Sequence, residues 1–305
     1  MQHTSAQAQA RRGLFYGLAA YVAWGLLPLY FKMLGGVGAG EIVAQRVLWS
    51  VLFIAVLIAL RGSLPALRSA LTNRRAVGLL AVSATLIAVN WLVYIWAVLE
   101  GHVLASSLGY FLNPLVNVAL GMIVLRERLG RVQGAAVALA ALGVLILAIQ
   151  ASDGLWISLV LAITFSLYGL VRKIVPVESL EGLAIETVIL APFALGWLVW
   201  IGQQGTLAFG RDLPFSLLLA SAGVFTAVPL LLFAAAARRM PYVELGLLQY
   251  VAPTLQFLLA VAVFGETMTR AHVICFGFIW AGLALYAGGN IAELRRGRAL
   301  ARAGV

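Results

Sequence analysis

Charged residues are scarce in this chain of 305 residues, since Asp, Glu, Lys and Arg together make up 10% of it. A soluble protein usually has about 25% of such residues. Because 63% of the chain is hydrophobic, there is too little polar surface to cover a soluble globule or to keep a disordered chain in solution. The composition argues against both classes and indicates an integral membrane protein.

Cysteine and histidine are rare too. The one cysteine, Cys275, excludes an intrachain disulfide, and His3, His102 and His272 are too far apart in the sequence to suggest a metal site. No phosphate-binding loop, zinc-hydrolase or serine-hydrolase motif occurs. We therefore expect no cofactor, no metal and no catalytic residue, and we do not expect an enzyme.

Long apolar runs fill most of the chain. A bilayer core about 30 Å thick needs roughly 20 apolar helical residues, and continuous runs of this length favour helices over strands. The sequence predicts an all-α, polytopic membrane protein with ten transmembrane helices. The predicted spans are 13–33, 41–60, 76–98, 103–125, 132–150, 155–172, 181–201, 213–236, 242–264 and 271–290.

The net charge of +10 does not indicate nucleic-acid binding, because no basic run lies on a separate soluble segment. The basic residues are instead concentrated in every second connection between the predicted spans. Such an uneven distribution sets the orientation of a membrane protein. With the N-terminus inside, only Lys32, Arg211 and Arg270 fall outside, and Arg46 falls within a span. The pattern predicts that both termini are cytoplasmic. The inside set is Arg11, Arg12, Arg61, Arg68, Arg74, Arg75, Arg126, Arg128, Arg131, Arg172, Lys173, Arg238, Arg239, Arg295, Arg296, Arg298 and Arg302.

The two halves of the chain align with each other at a shift of 139 residues. The domains predicted from this are a cytoplasmic tail over 1–12, five-helix repeats over 13–150 and 151–290, and a basic cytoplasmic tail over 291–305. Coinciding pairs are Pro114 with Pro253, Glu127 with Glu266, Arg131 with Arg270, and Gly143 with Gly282.

An odd number of spans per repeat means that the second repeat enters the membrane upside down. Inverted repeats are typical of secondary transporters, whose substrate site lies near the midplane between the repeats. The alternative is that apolar helices resemble one another by chance.

Several short motifs are spread over both halves of the chain. They include 24–28 (WGLLP), 46–50 (RVLWS), 90–98 (NWLVYIWAV), 108–114 (LGYFLNP), 168–173 (YGLVRK), 233–239 (FAAAARR) and 249–253 (QYVAP). Together these motifs resemble the drug/metabolite transporter superfamily, in its EamA-type branch, and more narrowly the RarD group of bacterial permeases. The resemblance covers nearly the whole chain except its tails. It implies a ten-helix permease of the inner membrane that moves a small solute.

Ionisable groups inside spans are costly and are candidates for function. Near the second span the shift between the halves becomes 140 residues, and Arg46 and Glu186 then occupy equivalent positions in the two repeats. We hypothesise that they present a cation and an anion to one central cavity, which would suit a zwitterionic solute. The alternative is that each side chain extends to its nearer membrane surface.

Polar and aromatic residues on three spans are further candidates for substrate binding. The alternatives are packing for the rings and hydrogen bonds between helices for the amides. Pro114 and Pro253 are expected to bend the helices that carry them. The candidates are Asn90 and Tyr94 on the third span, Tyr110, Asn113 and Asn117 on the fourth, and Gln249, Tyr250 and Gln256 on the ninth.

Trp24, Pro28 and Tyr168 are candidates for gating, because flanking glycines allow the helices to bend or to approach closely. Glu127 and Glu266 stand at span ends beside arginines, and we assign both to helix capping or surface pairing.

The sequence thus predicts a secondary active transporter of a small amphipathic metabolite or drug, working in the lipid bilayer of the inner membrane by alternating access. Export is favoured over uptake. A passive facilitator or channel and a membrane-embedded lipid-handling enzyme are the alternatives. Coupling to protons is a hypothesis, with Glu186 as the candidate carrier. The substrate and the oligomeric state stay open.

Overall fold

A computed structural model describes residues 2–99, 102–150, 155–263, 270–271, 273–285 and 288. Regular structure in this part of the chain is entirely helical, as predicted. Backbone groups that face lipid find no water, and a helix satisfies them within one segment. Glu266 and the predicted tail over 291–305 lie outside the described residues.

Twelve helices follow one another along the described chain. They are α1 (Gln2–Met33), α2 (Ala39–Arg61), α3 (Leu64–Thr72), α4 (Arg74–Leu99), α5 (Val103–Ile123), α6 (Arg131–Gln150), α7 (Leu155–Ile174), α8 (Ser179–Gln203), α9 (Leu213–Ala237), α10 (Tyr242–Leu248), α11 (Val251–Ala262) and α12 (Val273–Leu285).

Six helical segments, within α1, α2, α4, α7, α8 and α9, are long and apolar enough to cross a membrane, and shorter apolar segments lie in α5, α6 and α12. Large apolar side chains point outward, with Phe193 76% and Ile123 77% exposed. Such a surface suits contact with lipid. The described residues of the ten predicted spans are mostly helical, while the number of membrane crossings stays a prediction.

The predicted span over 242–264 is divided into α10 and α11. The break lies at Gln249 and Tyr250. Pro253 has no N–H to donate to the carbonyl of Gln249, so one hydrogen bond of the regular helix is missing at this turn. The amide of Ala252 donates to that carbonyl instead, at 3.1 Å.

One end of the bundle gathers four connections. There, α3, which the sequence did not predict, packs against α8. Lys173 lies 3.8 Å from Glu127, and Arg238 lies 2.7 Å from Glu178. We call this end the basic end, and its connections are 62–73, 124–130, 175–178 and 238–241.

Contacts between helices are paired across the two halves of the chain. The contact of α1 with α9 has its counterpart in α7 with α4, and that of α2 with α9 in α8 with α4. Likewise, α5 with α7 corresponds to α11 with α1. The equivalent helices α2 and α8 also contact each other directly. Many helices of one half therefore pack chiefly on the other half.

Candidate functional site

A cavity of about 130 Å³ lies between the two halves of the chain. Its walls come from α1, α2, α4 and α5 of the first half, and from α7, α9, α11 and the turn before α11 in the second. Eight of the residues singled out from the sequence border it. They are Trp24, Pro28, Arg46, Asn90, Tyr94, Tyr110, Gln249 and Gln256.

Arg46, near the start of α2, is held in a fixed position at the cavity wall. Its Nε donates a hydrogen bond to Thr226 Oγ1 on α9 at 2.7 Å. Its guanidinium carbon lies 4.5 Å from the centroid of the Trp91 ring and 5.8 Å from that of Phe31. These are distances at which a cation and an aromatic face attract. Within the described chain, the two terminal nitrogens of Arg46 make no hydrogen bond or ion pair.

Three amide side chains border the cavity, and each is anchored at one end. The free ends, Asn90 Oδ1, Gln249 Nε2 and Gln256 Oε1, are two acceptors and one donor without a protein partner in the described chain. An amide can bond at both ends, so each can also contact a bound molecule. The anchoring bonds run from Asn90 Nδ2 to Leu161 O (2.9 Å), from Asn117 Nδ2 to Gln249 Oε1 (2.6 Å), and from Gln256 Nε2 to Trp24 O (3.1 Å).

Aromatic rings supply the apolar part of the walls. Tyr94 and Tyr110 meet edge to face with centroids 5.3 Å apart, and Trp24 and Phe165 do so at 5.5 Å. Among the described residues that line the cavity, none is acidic. Arg46 therefore gives the cavity a positive charge within a largely apolar wall.

Three residues on one stripe of α7 lead from the cavity to the basic end. Phe165 borders the cavity, whereas Tyr168, a turn further on, is fully buried and stacked on Phe233 with centroids 6.1 Å apart. Arg172 follows another turn on. Tyr168 thus does not line the cavity but belongs to the aromatic layer that closes it on the side of the basic end.

Glu186 forms a buried ion pair with Arg172 and does not line the cavity. Arg172 Nη1 lies 3.6 Å from Glu186 Oε1, and both side chains are 1% exposed. Arg172 Nη2 also donates to the carbonyl of Ser179 at 2.9 Å, and the Ser83 hydroxyl donates to Glu186. The expectation that Arg46 and Glu186 face one cavity is therefore wrong, because Glu186 is neutralised by another cation nearer the basic end. Its role as a proton carrier stays a prediction.

Asn113, Asn117 and Tyr250 do not line the cavity either. Asn113 and Asn117 lie on α5, and Tyr250 lies in the turn between α10 and α11. These residues contact α7, α10 and α12 instead of the cavity. The carbonyl of Asn113 accepts from Ser166 Oγ at 3.3 Å, while Tyr250 packs in a cluster with Cys275. Asn117 nevertheless acts at the cavity indirectly, since it orients Gln249.

Glu127 ties the end of α5 to the start of α10. Its carboxylate accepts hydrogen bonds from the backbone N–H groups of Tyr242 and Val243, both at 2.8 Å. Lys173, whose Nζ donates to Met240 O at 2.7 Å, faces the same carboxylate. The prediction of helix capping is confirmed for Glu127. The contact also joins the two halves of the chain at the basic end.

Sequence reasoning missed Thr226 and Arg172. A buried arginine requires a hydrogen-bond partner. Thr226 is a polar residue inside an apolar run, and on that ground it could have been proposed as the partner of Arg46. Arg172 was counted among the inside charges at the end of the predicted span over 155–172, although it follows Phe165 and Tyr168 at helical spacing. That spacing was the available signal of its burial.

A family model described as the EamA-like transporter family matches the chain twice, over residues 11–149 and 153–288. The chain belongs to this family. The EamA-like protein is 48% identical to an uncharacterized transporter of Pseudomonas aeruginosa, over 95% of this chain and 98% of that protein. It is 45% identical to Protein RarD of Escherichia coli strain K12, over 94% and 98%. These relatives assign it to the RarD group of the drug/metabolite transporter superfamily.

Another relative is the chloramphenicol-sensitive protein RarD of Pseudomonas aeruginosa, 34% identical over 94% of this EamA-like chain and 97% of that protein. A solved crystal structure also resembles it, with a TM-score of 0.69 and 18% identity over 90% of this chain and 96% of that one. That structure establishes a shared fold alone.

Proposed function

We propose that this EamA-like protein is a secondary transporter that carries a small amphipathic molecule through the cavity by alternating access. The observation that carries the proposal is the cavity itself, which has walls from both halves and is closed on one side. A rocking of the halves against each other would open that side and close the other, which is the motion expected of such carriers.

Three layers of contacts between the cavity and the basic end are arranged as expected for a gate. The ring layer of Tyr168 and Phe233 lies next to the cavity, and the pair of Arg172 with Glu186 lies beyond it. Glu127 and Lys173 then join the halves nearer the end of the bundle. We infer that the contacts of these layers with the first half separate when the cavity opens toward the basic end, namely those of Tyr21 with Phe233, of Ser83 with Glu186 and of Glu127 with Lys173.

Two observations support an inverted repeat over 13–150 and 151–290. The family model matches each half separately, and many contacts between helices keep their pattern when each helix is exchanged for its counterpart. With basic residues on the inside, the basic end and both termini face the cytoplasm, and the protein lies in the inner membrane. We propose export as the direction.

A passive channel is less compatible with a cavity closed by three successive layers. A lipid-handling enzyme would need a nucleophile, a base or metal ligands at one depth, and the described residues around the cavity offer no such set. The carrier is therefore the function we propose.

Counterflow in proteoliposomes tests it. Purified protein is first screened for thermal stabilisation by amphipathic metabolites and antibiotics, chloramphenicol among them, because a ligand of the native state raises stability. For a hit, we expect saturable uptake of radiolabel that is accelerated by unlabelled ligand on the opposite side. Ala252→Trp, which fills the cavity, should abolish it.

Leu195→Trp is the matched control, since Leu195 is 55% exposed on the outer surface of α8. It should leave counterflow unchanged. Flux that does not saturate, or that Ala252→Trp leaves intact, would overturn the proposed carrier.

A further inference from the structure

We infer that the cavity selects organic anions: molecules that join one negatively charged group, such as a carboxylate, to a planar apolar body. This inference deepens the proposed function and relies on the cavity being the substrate site. It replaces the zwitterion expected from the sequence, because the anion that would have received an ammonium group is absent from the cavity wall.

The balance of charge is the first argument. Arg46 is the one charged side chain among the described residues that border the cavity. Glu186 is 3.6 Å from Arg172, so its charge is already compensated away from the cavity. A partly desolvated, unpaired cation is unfavourable until an anion approaches it, and the same cation repels an ammonium group.

The geometry of Arg46 is the second argument. Thr226 occupies Nε at 2.7 Å, and the Trp91 ring covers one face of the guanidinium at 4.5 Å. These contacts fix the plane of the group while leaving both terminal nitrogens available. Two parallel N–H donors in a fixed plane match the two oxygens of a carboxylate. The arginine is therefore oriented before a ligand arrives.

The other residues around the cavity indicate the chemistry of the rest of the ligand. Trp24, Phe31, Tyr94 and Tyr110 present rings to the cavity, which favours a planar apolar group. The amide oxygens of Asn90 and Gln256 are neutral acceptors. They can receive an N–H or O–H on the ligand and do not require a second charge.

Four probes that share an indole ring test the inference: indole-3-acetate, indole-3-acetamide, tryptamine and tryptophan. Their affinities for the purified full-length protein are measured by isothermal titration calorimetry. We expect the acetate to bind at least about tenfold more tightly than the neutral acetamide, the order expected for a charged hydrogen-bonded pair. Tryptamine should bind most weakly.

Arg46→Gln should reduce the ratio of acetate to acetamide affinity to about one, while Arg46→Lys keeps part of it. Arg211→Gln removes a charge from an exposed site outside the cavity and should leave the ratio unchanged. The Ala252→Trp variant should remove the binding of every probe.

Tighter binding of tryptophan or tryptamine than of the acetate would overturn the inference. A preference for the acetate over the acetamide that persists in Arg46→Gln would also overturn it. So would a failure to find any probe whose binding Ala252→Trp removes. If acetate and acetamide bind equally and Ala252→Trp blocks both, anion selection fails but the proposed carrier stands. If the preference depends on Arg46 while counterflow is absent, the carrier fails and anion selection stands.

Discussion

Replacing Arg172 with methionine is expected to lower the free energy of unfolding by about 3–5 kcal/mol, because it leaves the Glu186 carboxylate buried without its cation. Both side chains are 1% exposed, so water cannot take the place of the guanidinium. Unfolding in mixed micelles of increasing sodium dodecyl sulfate measures the change. The double variant Arg172→Met/Glu186→Leu should recover at least half of the loss, since no uncompensated charge is then buried.

Glu178→Gln is the matched control for this pair. It removes the negative charge from the pair with Arg238, whose atoms are 2.7 Å apart, but the Glu178 side chain is 63% exposed. An exposed pair contributes about 0–1 kcal/mol. If Arg172→Met costs no more than Glu178→Gln, or if the double variant is as unstable as the single one, the buried ion pair is not what stabilises this end of the bundle.

Gly223→Ala is expected to destabilise the protein by about 1–3 kcal/mol through overpacking. Gly223 lies where α9 crosses α2, and an added Cβ would be 2.7 Å from the backbone nitrogen of Ser50. The Ser50 hydroxyl, which donates to the Gly223 carbonyl at 3.0 Å, would lose its geometry as the helices separate. Since this crossing joins the two halves, counterflow should fall as well.

Gly78→Ala provides the comparison, because Gly78 lies within α4 and a Cβ there meets no atom within 4 Å. Alanine restricts the unfolded chain and favours helix by about 0.5–1 kcal/mol. The two substitutions should thus change the free energy of unfolding in opposite directions. Equal effects in both variants would contradict the close crossing of α2 and α9.

The helices and much of the cavity could be predicted from the sequence, for one physical reason. Polar groups inside apolar spans are costly and need a partner. Arg46, Asn90 and Gln249 are such polar groups, and all three border the cavity. The same cost applies to a polar group that is enclosed between helices, such as Asn113, so the sequence does not distinguish a cavity from a buried contact.

Partners were harder to predict than positions. Glu186 was paired with Arg46 through the internal repeat, yet its cation is Arg172, which had been counted among the inside charges at the end of a span. The order of residues along one span cannot reveal which neighbouring helix approaches it. The division of α10 from α11 was missed for a related reason, because a proline such as Pro114 can also lie within a continuous helix.

The central claim, that one cavity opens alternately to the two sides, is tested most directly by accessibility. Ala252→Cys is placed in a Cys275→Ser background and treated with a membrane-impermeant maleimide from each side of oriented vesicles. In the resting protein we expect labelling from the side opposite the basic end. Adding Glu127→Ala, which removes the tie to α10, should speed labelling from the basic end and slow it from the other side. If Glu127→Ala speeds labelling from both sides, or changes labelling from neither side, the result would contradict alternating access.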